Sequence, residues 1–379
     1  MLEDQNRFVA EGRSLEYFKE YLKEKFSQWF PISAWGNKKF IISFEAANYS
    51  IRLVRTASKK EFSNNYRLFI SDDFIHLYTD ALQKFQDRKK SAETDEYEFE
   101  HEYRVHKFLT TSVEKLLGKD FISNQVFIPA GRSFFTNIGK AVAAFEQGNV
   151  LDPLTIKFGR IYTAYKQNQR RFLNRNKSDS ATRLIESLSD ILGGKYVEDG
   201  NKEYVLLKDG RKIPLSALSS GQQELLPLLT ILPYFMERES FGNRKIKNMV
   251  YIEEPEAHLF PMAQSALIEV LAKLVKLSGN TLDMVVTTHS PYVLAKLNNL
   301  IKAGQISRQS QGGKKDILSK VVDEDGWLAK GFIEAYSIND GKLERIINDD
   351  GLISADYLDS VSLEIGEQFE SLLDVEFTK

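Results

Sequence analysis

The chain has 379 residues, 51 Lys+Arg against 53 Asp+Glu for a formal charge of −2, and 42% hydrophobic with 12% aromatic content. That length fits two or three packing units, and that apolar content excludes wholesale disorder. The absence of cysteine excludes disulfides, thiol catalysis and thiolate metal sites, and no apolar run approaches the ~20 residues that cross a bilayer.

The first residues, MLEDQNRFVAEGRSLEYFKE, are charged throughout and do not read as a secretory signal, so a cytoplasmic address and no membrane contact are expected. The near-neutral balance confines any nucleic-acid contact to a local patch.

In chain order, Leu15, Phe18, Leu22 and Phe26 recur at helical spacing, and Pro31 stops that helix. Three strand-like runs follow at 39–45, 49–55 and 66–71, predicting an antiparallel sheet beside the helix. Residues 87–100 read as a charged surface stretch. A short apolar strand, Gln125–Ile128, ends in the turn Pro129-Ala130-Gly131-Arg132-Ser133.

Beyond it lies a long helical region, broken by Pro153 and loosened at Gly159, with no acidic residue from Pro153 to Ser178. It carries Lys157, Arg160, Lys166, Arg170, Arg171, Arg175 and Lys177, with Tyr162, Tyr165 and Phe172 interleaved. Two Asp-Gly turns, at 199–200 and 209–210, predict a small meander ending at Pro214.

The second half alternates helix and buried strand: helices at 221–238, 261–277 and 292–303, strands at 249–253 and 282–287. That alternation predicts a parallel sheet covered on both faces. Residues 307–315 read as a flexible loop, Asn339-Asp340-Gly341 as a hairpin turn, and Tyr357, Val361, Ile365, Phe369 and Leu372 as the stripe of a final helix. That stripe suits core packing or, alternatively, subunit contact.

Three motifs carry chemistry. Leu218-Ser219-Ser220-Gly221-Gln222-Gln223 opens a predicted helix, whose free N–H groups and partial positive charge suit a phosphate. An ordinary serine N-cap is the plainer reading. Met249–Glu256 is an apolar strand delivering Glu253 and Glu254 at its C-terminal edge, where such carboxylates hold Mg²⁺ or polarise an attacking water. Asp283–Pro291 is a second apolar strand, delivering His289 to the same edge. Imidazole there can donate to a phosphate oxygen or hold the attacking water.

The order of these motifs resembles the ABC-type ATPases: Leu218–Gln222 their signature, Val250–Glu254 their Walker B, and His289 their switch histidine. The closer resemblance is to bacterial AAA family ATPases of the SMC/RecF/OLD branch, including AbiEii-like ATPases of phage defence. Their Glu-Glu-Pro-Glu-x-His-Leu stands here as Glu253–Leu259, and their Pro-Ala-x-Arg-Ser turn as Pro129–Ser133.

The resemblance implies an α/β fold, a P-loop NTPase (ABC ATPase-like) mixed sheet with an antiparallel β subdomain and an inserted helical lobe. It implies ATP and Mg²⁺ as cofactors. Glu253 would bind Mg²⁺ and Glu254 would be the catalytic base. Ser219, Ser220, Gly221 and Gln222 would close over the γ-phosphate of a second subunit, and His289 would contact that phosphate. Gln125 stands near the family's Q-loop as a further metal contact.

The implied partners are a second copy or a related ATPase subunit, with a nuclease or toxin protein beside it. The expected parts are residues 1–133, the N-terminal ATPase lobe with antiparallel strands; 134–240, the helical lobe with meander and signature; 241–305, the Walker B and histidine core; and 306–379, the C-terminal hairpin and helix.

The phosphate-cradling loop is the departure. Of the Gly-Lys pairs at 118, 139, 194, 313 and 341, none is followed by Ser or Thr and none has Gly five residues before. In the resembling family that loop lies ahead of the first helix, so the expectation is either a shortened product of a longer gene or a P-loop-less subunit. The retained Glu254, signature and His289 favour the first. Without the cradle, weak ATP binding and little hydrolysis by this chain alone are expected.

Three other readings stay open. The basic segment 157–177 suits either a nucleic-acid backbone with stacked bases or a solvated helix with its aromatics in the core. Glu253, Glu254, Glu256 and His258 suit a metal hydrolase, which leaves the signature and His289 unexplained. A standalone nuclease lacks a further carboxylate constellation after His289.

Overall fold

The computed structural model describes residues 2–30, 39–46, 49–56, 66–89, 95–138, 151–173, 179–200, 202–236, 240–241, 244–245, 247–309, 314–354 and 364–373. The chain divides into two compact units, Met1–Ile122 and Ser123–Lys379.

In the first unit, helices α1 (Leu2–Glu11) and α2 (Leu15–Trp29) precede strands β1 (Phe40–Ala46), β2 (Tyr49–Arg55) and β3 (Tyr66–Ile70). The strands form an antiparallel sheet in the order β1-β2-β3, as the alternation predicts. Ser14 caps α2 by accepting from the Tyr17 amide, and Phe18 is the residue of the predicted stripe that is wholly buried.

Helices α3 (Asp72–Lys89) and α4 (Asp95–Leu117) complete the unit. The charged stretch 87–100 therefore belongs partly to helix ends. Its Glu-rich start is a good helix former, and Val105, Leu109 and Val113 supply a buried stripe at four-residue spacing. The core stacks Phe18 on Phe74 and Tyr78, with ring centroids 5.8 and 5.4 Å apart.

The second unit opens with β4 (Asn124–Ile128) and a short helix α5 (Ser133–Ile138). Helix α6 (Pro153–Leu173) begins at Pro153, where the missing N–H costs nothing, and runs unbroken through Gly159. Helix α7 (Asp179–Leu192) leads into the antiparallel meander β5 (Gly194–Asp199), β6 (Lys202–Leu207) and β7 (Lys212–Pro214). Helix α8 (Ser220–Ile231) follows, buried nearly all round through Leu225, Leu226, Leu228 and Ile231, and tightens to 3₁₀ geometry over Leu232–Met236.

Strand β8 (Asn248–Glu253), helix α9 (Pro261–Leu277), strand β9 (Leu282–Thr287) and helix α10 (Pro291–Gln309) form the α/β part. The sheet is parallel, in the order β9-β8-β4, with Ile252 opposite both Val286 and Ile128. Val126, Ile128, Val250 and Ile252 enter one continuous core with α6 to α9. The opposite face is not closed to the same degree: Val285 is 45% exposed, so the expected two-sided cover holds for one face among the described residues.

Residues 307–309 of the expected loop extend α10, and α11 (Lys314–Val321) starts within its far end. Gly304 lets the backbone at Leu328, beyond α11, pack closely on α10, since a Cβ there would lie 1.8 Å from the Leu328 carbonyl oxygen. The hairpin β10 (Tyr336–Asn339) and β11 (Lys342–Arg345) forms as predicted.

In the final helix, 364–373, Ile365, Phe369 and Leu372 are 60–66% exposed, so these residues do not pack into a core; Tyr357 and Val361 lie outside the described residues. No described helix is long and apolar enough to cross a membrane.

A charge cluster ties α9 to α10 and the turn after α11. Lys273 Nζ meets Glu269 at 2.9 Å and Asp323 at 2.8 Å, and Lys296 Nζ meets Glu269 at 2.6 Å. Burial pushes the Glu269 and Asp323 carboxyls up, but the lysines outweigh it and hold both below their ordinary values.

A depressed carboxylate stabilises above its unfolded pKa of about 4 and loses that contribution as pH falls through the folded value. Lys273→Met should therefore cost about 1 kcal/mol or less at pH 7. The melting-temperature gap to the wild type should close as pH falls below about 4; a gap that widens on acidification would contradict the pairing.

Candidate functional site

The C-terminal edge of the parallel sheet gathers three turns. After β4 comes Pro129–Ser133, after β8 comes Glu253-Glu254-Pro255-Glu256, and after β9 comes Thr288-His289-Ser290. Parallel pairing brings them together, because Glu253 stands opposite Thr287 and the next residues of each strand leave the sheet side by side.

Glu253 is half-buried, and its Oε2 accepts from the Ala130 amide at 3.3 Å. Glu254 sits at φ +40°, in the left-handed region that a side chain rarely adopts. Its amide donates to the Thr287 carbonyl at 3.1 Å and to Thr287 Oγ1 at 3.3 Å. The Glu254 carboxylate faces His289 Nε2 at 3.6 Å, with the histidine side chain 87% and the glutamate 42% exposed. Both sequence-predicted catalytic groups are thus at one edge, wet and mutually in reach.

Glu256 is turned inward. It is buried, and its Oε1 accepts from Thr288 Oγ1 and from the His289 amide at 3.2 Å. Its Oε2 is buried without a hydrogen-bond partner among the described residues. Ser290 starts α10: its Oγ accepts from the Tyr292 and Val293 amides and donates to Gln264 Oε1 at 2.6 Å.

The Ser-Ser-Gly motif lies against the acidic turn. Ser219 is the N-cap of α8, its Oγ accepting from the Gln222 amide, while Gln222 Oε1 accepts from the Ser219 amide. Gln222 Nε2 donates to the Leu192 carbonyl at 2.8 Å, so its amide group is engaged at both ends. Ser219 and Ser220 are exposed, whereas Gly221 is buried. A Cβ on Gly221 would lie 2.6 Å from the His258 carbonyl oxygen, so close packing of α8 on the acidic turn by itself requires glycine there.

Gln125 is not brought to this edge. It pairs with Met249, four positions before Glu253, about 13 Å back along the strands.

Arg132, which the sequence presents only as part of a turn, lies at the centre of the site. It is fully buried, and all five N–H donors find backbone carbonyls. Nε donates to Glu224 at 2.8 Å; NH1 to Pro129 at 3.1 Å and Glu253 at 3.0 Å; NH2 to Glu254 at 3.2 Å and Pro255 at 3.1 Å. Burial draws its pKa below the ordinary value, against the opposing charges of Glu224, Glu256 and Glu254. The glutamate Glu224 lies 3.7 Å from Nε.

The acidic cluster does not converge on a metal. Glu256 serves the histidine turn, His258 is exposed at φ +61°, and no group of three His, Asp or Glu able to hold a metal occurs among the described residues. In the basic segment Tyr162 is buried, and Tyr165 packs on Tyr234 at 4.2 Å between ring centroids. These two aromatics belong to the core rather than to a base-stacking platform. Lys166 is paired with Glu203 at 2.8 Å, and Arg175 and Lys177 lie outside the described residues.

With this geometry in place, comparison with known proteins gives the family. A model described as AAA ATPase domain matches residues 14–294. The chain belongs to that family. It therefore carries an AAA ATPase domain, with the mixed parallel and antiparallel α/β architecture of a P-loop NTPase.

Among solved structures, the SMC head domain from Thermotoga maritima is similar at 16% identity and a TM-score of 0.28, over 68% of this chain and 65% of that one. The chain thus spans less than two thirds of that domain's length. No curated protein matches.

Proposed function

We propose that this AAA ATPase module is of the ABC type and works as a dimer, with ATP and Mg²⁺ between the strand edge of one subunit and the Ser219–Gln222 helix start of another. The observation that carries it is the meeting of Glu254 and His289, 3.6 Å apart, at the edge that also holds Glu253. The residues fit the cofactor in kind. Glu253 offers a hard oxygen ligand, and Mg²⁺ is usually held by one or two carboxylates plus substrate phosphates.

Bound ATP supplies the phosphoryl group to be transferred. Glu254, open to water, takes the proton of the attacking water, and His289 orients that water or donates to a phosphate oxygen. Ser219 and Ser220 present hydroxyls and amides at a helix N-terminus. Gln222 holds the cap, and would reach a phosphate only by releasing the Leu192 carbonyl. Gln125 contributes only if the edge rearranges.

The wording of Glu253–Leu259 and Pro129–Ser133 supports a place in a DNA-directed or phage-defence complex, with a nuclease or toxin partner. DNA contact through 157–177 is part of that proposal.

One observation favours a second reading. No Gly-x-x-x-x-Gly-Lys-Ser/Thr occurs in the 379 residues, which suits a non-catalytic subunit lending its signature to a partner's ATP site. Nucleotide retention separates the two in the complex as isolated from its native cell. Glu254→Gln should leave ATP and a locked dimer after gel filtration in Mg²⁺, where the wild type releases ADP. Equal retention by both would favour the lending subunit.

A further inference from the structure

The geometry points to Arg132 as the positioning residue of the hydrolytic edge: its guanidinium holds the Glu254 backbone in the left-handed conformation that sets the carboxylate against His289. This rests on the reading of Glu254 as the base, and adds what makes that base effective.

Three of the five donors go to consecutive carbonyls, Glu253, Glu254 and Pro255, with N···O distances of 3.0, 3.2 and 3.1 Å. A planar fork with fixed donor directions can satisfy such a run only if the backbone turns sharply, and Glu254 at φ +40° is where it turns. A strained residue persists when its neighbours over-determine it. Here the peptide before Glu254 is pinned by its amide on Thr287, and the peptide after it by Arg132 NH2 on its carbonyl.

The two turns are also bonded to each other: Glu256 of the acidic turn accepts from the His289 amide and from Thr288 Oγ1. Carboxylate and imidazole therefore stand on turns locked to one another, poised before any ligand arrives.

The remaining donors widen the reach. Nε is on Glu224 of α8, four residues after the start of that helix at Ser220, and NH1 is also on Pro129 after β4. A displacement of the Ser-Ser-Gly helix start is carried through one rigid group to the carbonyls of the acidic turn. Lysine cannot replace it, having three donors on one tetrahedral nitrogen and no plane.

The test is Arg132→Lys in the native complex, read two ways. Hydrogen exchange without nucleotide should rise at the amides of Glu254 to Ala257, with the β10–β11 hairpin unchanged. Turnover should fall about 10²-fold in kcat, with KM within about twofold, as expected for a displaced catalytic group. Unchanged exchange at 254–257 overturns the clamp. Raised exchange with unchanged kcat, while Glu254→Gln abolishes turnover, overturns the positioning role. If Glu254→Gln itself leaves turnover intact, the functional reading fails and the exchange result still decides the clamp.

A double-mutant cycle covers a poorly folded variant. Glycine accepts φ +40° freely, so Glu254→Gly should raise the melting temperature more in the wild type, where Arg132 holds the strained turn, than in the Arg132→Lys background, where the turn has relaxed. An equal increment in both backgrounds, or no increment in the wild type where Arg132→Lys does not fold, overturns the link.

Discussion

Glu254→Gln is expected to lower ATP turnover about 10²–10⁴-fold, the range for loss of a positioned general base. The side chain keeps its size and its backbone bonds to Thr287 and Arg132, neither of which involves the carboxylate. With the group 42% exposed, the stability should stay within about 0.5 kcal/mol of wild type. The measurement is steady-state phosphate release by the assembled complex, beside a thermal melt. A silent substitution would remove Glu254 from the mechanism and favour the lending subunit. A variant that loses turnover together with several degrees of stability would show a structural role.

Gly221→Ala is expected to destabilise the protein by about 1–2 kcal/mol net. Forcing an atom into a packed contact costs roughly 1–3 kcal/mol, and alanine's better helix propensity returns up to about 1 kcal/mol. The new Cβ would stand 2.6 Å from the His258 carbonyl oxygen and 3.2 Å from Leu259 Cδ2. The first neighbour is backbone and cannot rotate away. The helix start must lift from the acidic turn, lowering the melting temperature by about 5 °C at roughly 2–4 °C per kcal/mol. Ser220→Ala, at an exposed position, should change it little and serves as the control. An unchanged melt for Gly221→Ala would show that packing does not explain this glycine, leaving phosphate approach as its reason.

The two strongest elements of the site were legible because they are local. An apolar run ending in Glu253-Glu254 and another ending in Thr288-His289 announce strands, and strands in parallel deliver their ends to one edge. The meander was legible from its two Asp-Gly turns, and the antiparallel sheet from alternation. Helices α1, α3 and α4 are not evident from spacing alone, because many charged residues surround stripes such as Val105, Leu109 and Val113. The stripe 365–372 shows the reverse failure: helical spacing was right, but amphipathicity alone does not name what covers the apolar face. The covered-sheet expectation failed at Val285 for the same reason.

By itself the sequence determined the chemistry on offer: no thiols, a carboxylate pair and a histidine at strand ends, a serine-capped helix start, and no phosphate-cradling loop within its 379 residues. Only the tertiary structure decided which polar groups serve each other. Arg132 bonds to Glu224 and Glu253, 92 and 121 positions away, and Glu256 to Thr288 and His289, 32 and 33 positions away. Such pairings follow from chain crossings and from the cost of burying an unpaired charge. No spacing rule in a single sequence encodes them, because a buried arginine satisfied by backbone carbonyls needs no particular side chains as partners.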